Sequence, residues 1–372
     1  MGDCLLGTPN YVRSSYFPAT FGGGSWLNQG PLDNLKDKFF INQAISETAM
    51  AQDTQLHVHF AAERGVKMVV IPNSDVSKLG QVVVKASSAP AWTGVTIAAT
   101  HSVGETQVTV NSTAGVSAGD VMTIAGDPTV YDITTIVSPT SLGVRNTTDR
   151  TGLLHGTTAG LAVTCHSGKY GGPEELYNSG YVSYYGVVYP PGILTWGSPG
   201  VWDGRETDEN LSELDLPRPY IHVLPTAVSA AYWYVGISDE SNPNGGVALD
   251  ALIMAAGFSP RYNMTYGTVL GLKSNSTSEE SAGGAEVFGE ERSGRYVDFR
   301  LENASVEDGF VNLFDMQRRL DIYEDLFFIF DVDDTSLMTR RSFVGRFETL
   351  SELDFAAFDI VDIHFRIKEK IA

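Results

Sequence analysis

LHVHFAAERGVKMVVIPNSDVSKLGQVVVKAS, residues 56–87, decides how the chain is read. Three runs within it, LHVHF (56–60), VKMVVIP (66–72) and QVVVKAS (81–87), are short, β-branched and bounded by Gly, Pro, Asn and Ser. Branched side chains are stiff at χ1 and pack well on a pleated surface, so such runs are predicted strands. A second group, YWYVGIS (232–238) and GVALDALIMAAGF (246–258), lies far downstream. The intervening DESNPNGG is dense in turn residues, which predicts that these two runs pair as a hairpin.

A segment of different character separates the two groups. From GVTIAAT (94–100) to LAVTC (161–165), Thr, Val, Ser and Gly dominate and aromatic residues nearly vanish. Short β runs alternate there with Gly-bearing turns, the pattern of a five- or six-stranded small barrel. It begins and ends between strands of the flanking domain, so 93–165 reads as an insertion into a domain made of 1–92 and 166–258. Residues 168–205 shift again, with Tyr, Gly and Pro alternating around Trp196 and Trp202. Either these rings pack down onto the sheet, or Tyr181, Tyr184, Tyr185, Tyr189, Trp196 and Trp202 form an exposed surface for a partner or a sugar. Rings supply contact area at little entropic cost.

The remainder, 259–372, reads as a third part. TSEESAGGAEVFGEERSGRYVDFRLEN (277–303) predicts a flexible acidic arm, with Glu279, Glu280, Glu290 and Glu291, leading into a strand that carries Arg295 and Arg300. These residues are the candidate assembly contacts: a neighbour's acidic arm against the two arginines. Ser305 with Asp308 three residues on makes a shortened capping box, and the spacing after it predicts a helix over 305–320 that buries Phe310, Leu313 and Phe314. DLFFIFDV, RRSFVGRFETL and AAFDIVDIHFRIKE then close the chain as strands. The fold class expected is mostly β: a jelly-roll sandwich with an inserted small barrel, then a C-terminal sandwich flanked by one helix.

Charge and cysteine usage narrow the function. Forty-five acidic against 25 basic residues give a net charge of −20, which repels phosphate backbones and argues against nucleic acid. Cys4 and Cys165 fit neither a disulfide framework nor a zinc site. No basic start and apolar core of adequate length opens the chain, Leu6 breaks a myristoylation pattern at Gly2, and no apolar run reaches the length of a membrane span. Synthesis in a cytoplasm is the expectation, and the Asn-x-Ser/Thr sequons are polar loop composition.

Catalytic patterns are weighed one by one. FFIFDVDDTSL (327–337) contains Asp-x-Asp-x-Thr, which resembles the first motif of haloacid-dehalogenase-type phosphatases. The resemblance implies Asp331 as nucleophile, Asp333 as acid/base and a Mg²⁺ between them. That motif needs a parallel α/β frame and downstream phosphate-holding residues, whereas strand-like sequence follows here; a polar turn built on Asp331 is the better reading. His57 and His59 alternate on one strand and face one side, two ligands without a third. FGGGSWL (21–27) precedes no strand–helix phosphate cradle. No catalytic residue, cofactor or metal is assigned, and no enzyme is expected.

The flanking strands together resemble the discoidin-type, galactose-binding-like jelly roll. Joined to YGTVLGLKSNSTSEESAGGAEVFGEERSGRYVDFRLENASVEDGFVNLFDMQRRL and RRSFVGRFETLSELDFAAFDIVDIHFRI, they resemble virion proteins from the tail-tip or baseplate region of tailed bacteriophages. That resemblance implies a structural protein of the tail that assembles with itself as a ring or trimer, trimeric or hexameric, and with other tail proteins. A carbohydrate-binding module that contacts host glycans through the aromatic segment is the alternative.

Overall fold

The computed structural model describes residues 3–371 apart from 14–18, 52, 89–91, 115, 117, 119, 128, 147–150, 167–174, 187–203, 205–218, 281–283, 285, 290 and 335. The chain is mostly β, with 48% strand against 9% helix. Its described residues fall into two compact units, one from Tyr11–Gly186 and Arg218–Ala255, the other from Met1–Asn10 and Ala256–Ala372.

Two long strands organise the first unit. Leu56–Ile71 and Tyr220–Ser238 pair antiparallel from Leu56 opposite Val235 to Ile71 opposite Tyr220. The runs 56–60 and 66–72 therefore fall in one strand, Leu56–Ile71, interrupted by two register shifts against its partner. Ala61, Ala62 and Glu63 are exposed at one shift, and Pro225, Thr226 and Ala227 are exposed at the other, across from Lys67. Leu56, Val58 and Phe60 on one side of the first shift share a core with Val66, Val69 and Ile71 on the other. The strand pair turns a corner and folds over its own apolar face, which is how a sandwich is made from strands that pass between layers. Each buried Val, Leu or Phe contributes roughly 1.5–3 kcal/mol relative to exposure.

Residues 232–238 and 246–258 do not form the expected hairpin. Gln81–Ser87 lies beside 232–238, with Gln81 opposite Ser238, while Ile253–Ala255 pairs with Met68–Val70 on the other side of the long pair. Ala248–Leu249 pairs instead with Ala44–Ile45. The turn is diverted by side chains: Asp239 accepts from the Ser77 N–H at 2.7 Å and from Asn242 at 2.9 Å, and Asp75 accepts from the Ala248 N–H at 2.6 Å. Turn composition marked the turn and left its destination open.

The barrel has six strands in the order Trp92–Thr96, Ala162–His166, Val121–Ile124, Val130–Ser138, Ser141–Asn146, Gln107–Thr109. A bridge between Ile97 and Val110 joins the last strand to the first and closes it. Its host strands Gln81–Ser87 and Glu175–Asn178 pair with each other, Ser87 opposite Glu175, so the insertion leaves and rejoins the sheet at adjacent points.

The second unit is one curled seven-stranded sheet. Its order is Leu5–Gly7, Leu326–Ile329, Phe343–Phe347, Ile360–Glu369, Gly294–Ser305, Val269–Lys273, with Leu353–Ala357 on the free part of Ile360–Glu369. Residues 5–7 thus leave the jelly-roll half assigned to 1–92, because Leu5 and Leu6 pair with Ile329 and Phe328 and are buried there. Val361, Ile363, Phe365 and Ile367 alternate into the core while His364 and Lys368 face solvent.

A helical segment over 306–320 covers that core, and its geometry departs from expectation. Asp308–Phe314 is wound as a π-helix. The wider winding turns Leu313 inward with Met316 and Leu320, and leaves Phe310, Val311 and Phe314 at the surface. Gly309 permits the close approach: a Cβ there would lie 2.5 Å from Val361 Cγ2.

Candidate assembly surface

The acidic arm is a β-hairpin. Thr277–Glu280 pairs with Glu286–Gly289, Glu279 opposite Val287 and Ser278 opposite Phe288. Every described residue of both strands is exposed, including Val287 and Phe288. The stem is tied by Asn275 Nδ2 donating to the Arg292 carbonyl at 2.9 Å, and by Ser276 Oγ and the Glu291 N–H at 3.0 Å. Glu279 and Glu280 lie in the first strand, Glu291 lies in the stem, and Glu290 is outside the described residues.

The two arginines do not wait for a neighbour's arm. Arg295 is 5% exposed. Its guanidinium engages both oxygens of Glu369, with Nε to Oε2 at 3.0 Å, and Nη1 donates to the carbonyls of Thr339 and Arg340 at 2.9 and 3.2 Å. A buried cation with a bidentate carboxylate partner and two carbonyl acceptors is a structural tie. Arg300 is half-exposed and bonds Asp362 at 3.0 Å, with Glu302 at 3.5 Å. Arg295 is therefore no candidate contact, whereas Arg300 is exposed but already ion-paired within its own chain.

A surface that the sequence reading did not single out lies beside the helix. Phe310 and Phe314 meet edge-to-face at 5.9 Å, and Phe310 lies 6.3 Å from Phe355 on strand Leu353–Ala357. These rings are 43%, 45% and 64% exposed, and Phe358 in the following turn is fully exposed. Strand Leu353–Ala357 pairs with Ile360–Glu369 along one edge, and its other edge has no partner among the described strands. The available signal was FAAF (355–358), where apolar residues fall on both faces of a short strand.

Of the aromatic segment, Tyr181, Tyr184 and Tyr185 are among the described residues. Tyr184 is interior, its hydroxyl pKa raised by burial, and stands 5.5 Å from Tyr220. Tyr185 donates to the Val76 carbonyl at 3.2 Å. Tyr181 is exposed; Tyr189, Trp196 and Trp202 lie outside the described residues. Thus Tyr184 packs down onto the sheet and is not a contact residue.

The motifs weighed for chemistry have structural uses. Asp331 Oδ1 accepts from the N–H groups of Asp333 and Asp334 at 3.0 and 3.3 Å, an Asx-turn between two antiparallel strands. His57 and His59 pack on Tyr234 and Tyr232 directly across the sheet, His59 stacking at 4.7 Å, and burial lowers the His59 pKa. Among the described residues no group of three or more His, Cys, Asp or Glu side chains is placed to hold a metal. The glycine-rich loop seats the barrel on its host: the Gly23 N–H donates to the buried Asp132 carboxylate at 2.8 Å, and Arg145 donates to the Gly24 carbonyl at 3.3 Å. Compared with family models, curated proteins and solved structures, the chain matches none.

Proposed function

We propose that the chain is a structural component of a bacteriophage tail, in the tail-tip, baseplate or distal-tail region, acting through contacts between copies and with neighbouring tail proteins. One observation carries the assembly part: the unit of residues 256–372 exposes Phe310, Phe314, Phe355 and Phe358 beside an open strand edge, and a hairpin bearing Val287 and Phe288. Clustered exposed rings mark surfaces that another chain covers. The tail assignment draws on the sequence resemblance of this unit and its jelly-roll neighbour to tail proteins.

The test is the mass of the full chain over a concentration series, with low-resolution imaging of the largest species. A closed ring or trimer is expected. A chain that stays monomeric up to its solubility limit overturns the assembly reading.

A further inference from the structure

We infer that His101 is an acid-sensitive clasp on the closing seam of the barrel: a proton taken up at its Nε2 atom displaces the Thr109 N–H and loosens the strand that closes the barrel. The inference stands apart from the assembly reading, because every group it needs lies within one barrel.

The seam runs where 96–98 meets 109–111. Ile97 and Val110 form the bridge, the Ala98 N–H donates to the Thr109 carbonyl at 2.8 Å, and the Asn111 N–H donates to the Thr96 carbonyl at 3.0 Å. Just beyond the seam, the main chain of His101 is fixed by two bonds with Thr157, each at 3.0 Å. Its ring reaches back to the seam, where Nε2 accepts the Thr109 N–H at 2.9 Å. Thr109 thus ties the two sides twice, through its carbonyl to Ala98 and through its N–H to the His101 ring.

That second bond fixes the protonation of the ring. A main-chain N–H can only donate, so Nε2 carries no proton and the neutral imidazole holds its one hydrogen on Nδ1. Nδ1 therefore donates to Glu105 Oε2 at 2.7 Å, and Glu105 Oε1 accepts the Ser102 N–H at 2.9 Å. Nε2 is the only basic site left on the ring. A proton arriving there sets two N–H groups against each other across what was a hydrogen bond. His101 is only 8% exposed and its Nδ1 is tied to Glu105, so the ring keeps its place and the strand yields.

Glu105 is what allows the ring to charge. Burial opposes an imidazolium, and a carboxylate in contact with it offsets that cost. The bond from the Ser102 N–H, then that from His101, holds the Glu105 carboxyl below its ordinary value, so it stays ionised where histidines take up their proton. Among the described residues around the ring, strand Gln107–Thr109 carries no charge. On 153–157 the titratable group is His155, bound to Asp127 at 3.0 Å, and on Ser141–Asn146 Arg145 donates to the host at the Gly24 carbonyl. The clasp is therefore closed at neutral pH and opens as pH falls.

Amide exchange resolved by residue in the full chain tests this, with strands Val121–Ile124 and Ala162–His166 as the internal reference. Between about pH 7 and about pH 5, protection of Thr109 and Ala98 should fall roughly fivefold to tenfold relative to that reference, the worth of one hydrogen bond. His101→Gln brings an amide oxygen near the Nε2 position, which takes up no proton, and should hold Thr109 protection constant. Glu105→Gln keeps an acceptor for Nδ1 without the counter-charge and should move the loss to lower pH. Wild-type protection that is independent of pH overturns the inference, as does an equal loss in His101→Gln or a loss that Glu105→Gln leaves at the same pH. Should His101→Gln fail to fold, the ¹⁵N resonances of the wild-type ring decide. Protonation of Nε2 should share its midpoint with the loss at Thr109, and a ring that charges while Thr109 stays protected overturns the clasp.

Discussion

The two units treat their aromatic residues oppositely. The unit of 11–186 and 218–255 draws Trp26, Phe60, Tyr184, Tyr220 and Trp233 into its interior, and among its described residues only Phe39 and Tyr181 stand out as exposed rings. The unit of 256–372 buries Phe299, Phe328, Phe347 and Phe365, yet exposes Tyr262, Tyr266, Phe288, Phe310, Phe314, Tyr323, Phe355 and Phe358. Polar groups differ less. Ion pairs and turn carboxylates are satisfied inside each unit, so the contrast lies in apolar surface.

The largest test of that contrast concerns Arg295, whose charge is internal. Arg295→Ala strands Glu369 as a buried, unpaired carboxylate and should cost about 3–5 kcal/mol in urea unfolding of this unit. Arg295→Met combined with Glu369→Leu should recover most of it, whereas Arg300→Ala should stay within about 1 kcal/mol. An Arg295→Ala chain that keeps its stability and loses only self-association would return Arg295 to the interface.

A middle-sized effect is expected where the barrel meets its host. Asp132→Ala leaves the Gly23 N–H without its acceptor and should lower stability by about 1–3 kcal/mol. Hydrogen exchange should quicken first at residues 20–26. Unchanged protection there would show that the barrel sits on its host without help from this carboxylate.

The smallest effect is pH dependence, and it separates the units. His59 and His222 have pKa values lowered by burial, and His222 Nε2 shares a 2.6 Å hydrogen bond with the Tyr177 hydroxyl. Unfolded histidine binds its proton near 6.5, so the unfolded chain takes up more protons than the folded one as pH falls below that value. Stability of the first unit is complete above 6.5 and declines beneath it. In the second unit, the hydrogen bond from Ser336 lowers the Asp334 pKa, and the one from Lys273 lowers that of Glu348. Their contribution is present above the unfolded values of 3.8 and 4.5 and is lost only below them. Hydrogen exchange at pH 7 and about pH 5 should therefore show loosening in the first unit alone, and His222→Gln should reduce it.

Local chemistry made much of this chain legible. Period-2 alternation marks Ile360–Glu369, turn residues mark 239–246, the composition shift marks the barrel, and Asp331 was recognisable as a turn carboxylate. These features depend on residues adjacent in sequence, whose backbone preferences act before any long-range contact forms.

Tertiary structure decided the rest, because sequence patterning says that a residue pairs or is buried and is silent about its partner. Glu369 lies 74 residues from Arg295, and only the pairing of their strands brings the two charges together. The strand 5–7 was free to join any open edge until Leu326–Ile329 offered one. Helical spacing placed Phe310, Leu313 and Phe314 on one face, as an α-helix would. The π-turn over Val361 separated them, and that winding, set by packing of Gly309 against the sheet, is what puts the rings outside.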